Sequence, residues 1–481
     1  MNISGLIANV LHAVSLLLKH GIMNISGLTT NVLHAVSLIL KQGNKISGCQ
    51  TNVLHAAYLV LKQFNRGEGI KQLLAKNMKE LVLIGGGHTH AIALKDFAHN
   101  PLPDVRIVLI SDVEQTPYSG MLPGYVAGFY SYEECHIDLN SLTQYVKAKM
   151  ICDRAIGLDL NNNLVLCENQ SPVRFDLLSI DIGSTPATLS VPGAAEHAIP
   201  VKPVPHFLQQ WNQIIEEVTN NPDSLIRIGI VGGGAGGVEL ALNVHSRLSK
   251  ILKFPQLWDR RPRLSQPKIN SESQAKINSE QSNLEIHLFH RDAELMTNHN
   301  PWVRQHMQQL LTRRGIFVHL QENVGEVKPQ LVCCESGLNV EFNYLFWVTQ
   351  ASAPDWPKIS GLAVDATGFI LVSDTLQSVS HPQVFAAGDI ATIVNHPCPK
   401  AGVFAVRQGK PLFNNLWRTL QGQPLKPYKP QKRYLSLIGT GEGSAVASWG
   451  SFGWESPLLW YCKDWIDRQF MISISRHPST S

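Results

Sequence analysis

The sequence predicts an α/β fold with two three-layer units, each a parallel sheet flanked by helices. Three observations carry that expectation. Glycine-rich turns occur twice, at Gly85-Gly86-Gly87-His88-Thr89-His90 and at Gly232-Gly233-Gly234-Ala235-Gly236-Gly237. Each follows a short apolar run, Leu81–Ile84 or Leu225–Val231, and opens a helical pattern. A second apolar run then comes after each turn, at Val105–Ile110 and at Leu284–Phe289. A chain of 481 residues has room for two or three domains with full cores.

Taken in order, the first 65 residues are an internal repeat. Asn9-Val10-Leu11-His12-Ala13 returns at Asn31 and at Asn52, and each copy carries an apolar helical spacing such as Val10, Leu11, Val14, Leu17 and Leu18. Packed repeats diverge at their ends, whereas these copies are nearly identical. Residues 1–78 are therefore expected to be a repetitive extension that the remainder does not need. The globular part is expected from Lys79. Residues 254–283 are rich in Pro, Arg, Ser, Asn and Gln, and Lys268-Ile269-Asn270-Ser271-Glu272 recurs at Lys276–Glu280. That composition predicts a disordered insertion in a surface loop.

Each turn has a physical reading. Gly85 permits the tight bend, Gly86 and Gly87 let the backbone approach a pyrophosphate, and the following helix presents free N–H groups and a positive dipole end. The usual third glycine is replaced by His90, which would either push the helix off the strand or itself contact the cofactor. His88 lies in the same turn. Asp112, after Ser111, is the candidate ribose-binding acid at the end of the second strand. In the second unit Gly232, Gly234 and Gly237 follow the usual pattern more closely. Its second strand ends Phe289-His290-Arg291-Asp292. Arg291 would meet a 2′-phosphate and Asp292 a free 2′-hydroxyl, so NADH and NADPH both stay open.

Composition narrows the classes. Hydrophobic residues make up 44%, charged residues 16%, and the net charge is +4, which points to a globular protein and away from nucleic acid. No apolar stretch reaches the roughly 18 residues of a membrane span. Eight scattered cysteines, without a C-x-x-C pair, suggest a reducing, cytoplasmic compartment. The histidines lack metal-ligand spacing, so no metal is expected.

Two further segments make the pattern specific: Asp176-Leu177-Leu178-Ser179-Ile180-Asp181-Ile182-Gly183-Ser184-Thr185-Pro186 and Val384-Phe385-Ala386-Ala387-Gly388-Asp389-Ile390. The order glycine turn, Gly-Ser-Thr-Pro, glycine turn, Ala-Gly-Asp resembles the FAD-dependent pyridine nucleotide oxidoreductases, and within them the type II NADH dehydrogenases. Thr116–Gly124, Glu134–Leu139 and Lys463–Met471 resemble a flavoprotein module found fused to selenide, water dikinase, although selenophosphate synthesis is not expected here. The resemblance implies two Rossmann-like domains, with residues 201–350 binding NAD(P)H and inserted between FAD-binding parts at 79–200 and 351–425. Residues 426–481 form an aromatic-rich end with Trp449, Trp454, Trp460, Tyr461 and Trp465. Those aromatics would cover the flavin domain, form a dimer contact or sit at the inner face of a membrane.

It further implies that Gly183, Ser184, Thr185, Pro186, Gly388 and Asp389 hold FAD, with Asp389 on the ribityl chain. Glu239 would orient the nicotinamide or pass a proton. Lys400 and Gln408 would line the flavin on the acceptor side. The expected reaction is hydride transfer from NAD(P)H to flavin, with electrons passed to a quinone-like acceptor. The alternatives are a sulfide:quinone oxidoreductase using Cys135, Cys152 or Cys333, and a non-catalytic dinucleotide-binding module linked to selenium metabolism.

Overall fold

The computed structural model describes residues 78–186, 191–253, 283–349 and 351–475. The expectations for residues 1–77, and for all but the last residue of the 254–283 insertion, lie outside the described residues. The chain divides into units Met1–Met78 and Lys79–Ser481, and the second carries the architecture below. In chain order its main elements are β1 (Lys79–Ile84), α1 (His88–His99), β2 (Val105–Ser111), β3 (Lys149–Cys152), β4 (Leu177–Ile180), β5 (Ile199–Pro200), α2 (Val204–Asn220), β6 (Ile226–Val231), α3 (Ala235–Lys253) and β7 (Leu284–His290). They continue with α4 (Pro301–Arg313), β8 (Phe317–Leu320), β9 (Tyr344–Trp347), β10 (Val384–Ala386), α5 (Gly402–Leu420), β11 (Ser436–Gly439), β12 (Ala445–Trp449), β13 (Phe452–Ser456) and α6 (Pro457–Ser475).

Two five-stranded sheets result, in the orders β10-β4-β1-β2-β3 and β5-β9-β6-β7-β8. Every pairing in both is parallel. Each glycine turn therefore leaves the middle strand of its sheet, where covering elements bury both faces. This explains why β1 ends in an unbroken apolar run: Leu81, Val82, Leu83 and Ile84 are at most 2% exposed. The turns obey one geometric rule. Gly85 and Gly232 have φ of +91° and +122°, and a Cβ on either would collide with a backbone oxygen of the neighbouring strand end, Asp181 O or Val348 O. Only glycine fits both constraints.

Helix α5 crosses α1 closely, since a Cβ on Gly409 would lie 2.6 Å from Ile92 Cβ. The C-terminal elements join the two cores. Ile438 and Val446 belong to the core of the second sheet, whereas Ala445, Trp460, Met471 and Ile474 belong to that of the first. Helix α6 buries Trp460, Lys463, Asp467, Met471 and Ile474 at helical spacing. Trp460 packs on Phe129 and Tyr130, and Phe470 stacks on Tyr118 at 4.4 Å. Truncating a buried Trp such as Trp460 to alanine would cost about 3–5 kcal/mol. Trp449, Trp454, Tyr461 and Trp465 stay exposed, so the aromatic end is only partly a cover.

Candidate active site

The first turn is closed from below by a carboxylate. Gly87 caps α1 without a side chain, and His90 N donates to Asp181 Oδ2 at 3.1 Å instead. His88 Nε2 accepts from Ser119 N at 3.2 Å, and its ring meets Tyr118 edge-on at 5.3 Å. Burial lowers its pKa to about 4, so the ring is neutral and the hydrogen bond assigns its proton to Nδ1.

His90 stands where the usual third glycine would be. Its ring is 0% exposed, with Nδ1 2.7 Å from Gly85 O and Nε2 2.8 Å from Ser179 Oγ. Nδ1–H donates to the carbonyl and Nε2 accepts from the hydroxyl, so both ring nitrogens are used in bracing the turn. The helix is not pushed away. In the second turn a Cβ on Gly237 would collide with Gly232 O; at the corresponding place His90 bonds to Gly85 O.

Opposite the turn lies the corner Gly388-Asp389. Gly388 has φ +68° and donates its N–H to Gln408 Oε1 at 2.7 Å. Asp389 Oδ2 receives Lys202 Nζ at 2.8 Å and the Ser184 hydroxyl at 3.3 Å, while Lys202 also donates to Ser184 Oγ at 2.9 Å. Gly183 has φ +72° and precedes them. Thr185 and Pro186 pair antiparallel with Ser352 and Ala351. Lys400 and Gln408, expected on the acceptor side, are both engaged with the protein. Lys400 Nζ is held by Ala391 O at 2.6 Å and Thr392 Oγ1 at 3.0 Å, 4.0 Å above the Phe369 ring. Gln408 is 2% exposed and engaged with Gly388. Gln408 thus holds the corner directly, and Lys400 holds the strand that follows it.

In the second turn Gly233 N donates to His290 Nδ1 at 3.2 Å. Arg291 and Asp292 are exposed at the tip of β7, 3.8 Å apart. Asp112 is exposed just beyond β2 and lies 3.5 Å from Arg154. Glu239, in the first turns of α3, accepts from Gly439 N at 2.7 Å. Burial raises its carboxyl to about 7, opposed by the Lys463 cation. Lys463 is itself buried, 2.6 Å from Asp467 Oδ2 and 2.5 Å from Gly120 O. Asp467 bonds the Tyr118 hydroxyl, whose ionisation burial pushes far up.

Sequence reasoning gave no role to Lys202, Asp181, Tyr118, Lys463 or Asp467. Lys202 carried no local signal, because its partner Asp389 is 187 positions away. Asp181, Tyr118, Lys463 and Asp467 lay inside quoted motifs, but only folding brings Lys463 to Gly120.

Two dinucleotides fit these cradles. A Cβ at Gly183 or at Gly234 would meet nothing within 4 Å, so open space fronts both. Thr349 Oγ1, beside the second turn, is buried without a protein partner. Open space at both cradles and an unpartnered hydroxyl beside the second suit a diphosphate and an amide-bearing ring.

The family described as pyridine nucleotide-disulphide oxidoreductase matches residues 79–409. The NADH dehydrogenase-like protein YutJ of Bacillus subtilis is 20% identical, over 76% of this chain and 90% of its own. The type II NADH:quinone oxidoreductase of Haemophilus influenzae is 21% identical, over 79% and 89%. The crystal structure of the sulfide:quinone oxidoreductase from Aquifex aeolicus superposes with a TM-score of 0.65 at 17% identity, covering 82% of this chain and 91% of that one. The chain belongs to the pyridine nucleotide-disulphide oxidoreductase family, and it is an oxidoreductase that works with FAD and NAD(P)H.

Proposed function

We propose that this member of the family oxidises NAD(P)H and delivers the electrons to a quinone-like acceptor. The observation that carries the reading is the pair of middle-strand glycine turns, one facing the Gly388-Asp389 corner and the other followed by Glu239. FAD bound between the first turn and the corner would supply the hydride and electron chemistry. The residues supply placement. Gly85–Gly87 and the start of α1 would seat one diphosphate, and Gly232–Gly237 with the start of α3 the other. Asp389, fixed by Lys202 and Ser184, would hold a polyol chain. Glu239, fixed by Gly439, would orient the nicotinamide amide or carry a proton.

The names of two relatives support NADH and a quinone. Against sulfide oxidation, the Cys135 thiol is buried and pushed up to about 12, which makes it a poor nucleophile. The outer face of α6, with Leu458, Tyr461, Trp465 and Ile472 exposed, suits peripheral contact with a lipid interface where a quinone would be drawn. No helix among the described residues is long and apolar enough to cross a membrane.

The test is a visible spectrum of the purified chain, followed by steady-state oxidation of NADH and NADPH against a panel of quinones, a dye and sulfide. Yellow protein with quinone-dependent NAD(P)H oxidation is expected. A colourless protein, or one oxidising sulfide alone, would overturn the proposal.

A further inference from the structure

We infer that Asp181 is a flavin-nucleotide-binding residue that must carry a proton whenever an anionic diphosphate lies at the amino end of α1. The inference rests on the assignment of the first turn to a dinucleotide. Asp181 is 2% exposed, just past the end of β4. Its two carboxylate oxygens lie where a Cβ on Gly87 and a Cβ on Gly388 would fall, so the group is wedged between the phosphate turn and the corner. It takes the N–H of His90 at 3.1 Å and that of Thr89. Those amides, with the helix dipole behind them, are what a diphosphate uses at a helix start. An ionised Asp181 and a diphosphate would thus compete for one positive end.

The second turn shows that the architecture does not need this acid. Val348 O stands against Gly232 as Asp181 O stands against Gly85, yet the residue there is a valine. Where the carboxylate crowds Gly87, the space at Gly234 is open. Burial and the nearby Asp389 charge favour the neutral form. Hydrogen bonds from His90 N and Thr89 favour the ionised carboxylate and oppose these two effects. Asp389, on the corner, adds a second negative charge. Lys202 spends its charge on Asp389 and Ser184, and burial keeps His88 and His90 neutral on α1. Burial first, and the Asp389 charge after it, raise Asp181 to about 7.

A group of that kind is largely ionised at pH 8 and protonated at pH 6. Binding of the diphosphate would raise its pKa further and draw one proton from the buffer. Affinity is therefore full below about 7 and falls as pH rises above it, by up to roughly tenfold per unit. The experiment is calorimetric titration of FAD into the full chain freed of flavin, at pH 6 and pH 8, each in two buffers of different ionisation enthalpy. Wild type should take up close to one proton per FAD at pH 8 and little at pH 6. The near-isosteric Asp181→Asn should take up none and bind FAD equally at both pH values. FAD binding without proton uptake by wild type at pH 8, or equal uptake by Asp181→Asn, would overturn the inference while leaving the function intact. Failure to bind FAD at either pH would overturn both. The wild-type arm decides the matter even if the variant does not fold.

Discussion

Gly234→Val separates folding from binding in the second turn. The residue is exposed, precedes α3, and a Cβ there meets nothing within 4 Å. Folding should lose only the preference for glycine over valine at a helix start, about 1 kcal/mol. The branched side chain would stand where a diphosphate must approach the backbone. Two charge-assisted hydrogen bonds to it are worth about 1.5–3 kcal/mol each, so the loss is about 3–6 kcal/mol. At 1.4 kcal/mol per factor of ten, the Kd for NAD(P)H rises at least about 100-fold. The assay is the rate of flavin bleaching by NADH and NADPH in rapid mixing, with flavin content and Tm measured on the same sample. Flavin content should match wild type. Gly232→Val is the contrast: with φ +122° and a collision with Val348 O, it should lower Tm as well. Bleaching by Gly234→Val at wild-type rate and affinity would refute the assignment of this turn.

Other outcomes follow from the same geometry. Glu239 has a folded pKa of about 7 against an ordinary 4.5, so it binds its proton more tightly folded than unfolded, and the stability it adds is lost as pH rises through that window. Glu239→Gln should therefore gain on wild type in urea midpoint between pH 5 and pH 8; a constant difference would contradict the raised carboxyl. Lys463→Met leaves Asp467 as an uncompensated buried charge and should cost about 3–5 kcal/mol, with Lys463→Met/Asp467→Leu recovering most of it in thermal unfolding. If the double variant unfolds as early as the single one, the pair is not the cause. Removing residues 1–65 should leave flavin content and dye reduction unchanged, and an insoluble or colourless product would show that the repeat is structural.

Much of the frame was legible because parallel sheets write themselves locally. Leu81–Ile84 reads as a strand from its own side chains, and Gly85 reads as a turn because its φ excludes every other residue type. The two turns, the Gly183–Ser184 segment and the Gly388-Asp389 corner could be located for that reason. The partners of His90, Lys400 and Gln408 were not legible, because a polar side chain near a motif does not reveal which way it faces. His90 turned back to Gly85 O and Ser179, Lys400 to Ala391, and Gln408 to Gly388.

The local pattern of apolar runs and glycines by itself determined two nucleotide cradles and the chemistry they invite, since backbone sterics and burial act over a few residues. Only the tertiary structure decided what surrounds them. Lys202 reaches Asp389, Lys463 reaches Gly120, and Asp181 settles under Gly87 and Gly388. Charges separated by tens to hundreds of residues meet only after the sheets, the crossing helices and the C-terminal helix have packed, and burial then raises the Asp181 carboxyl.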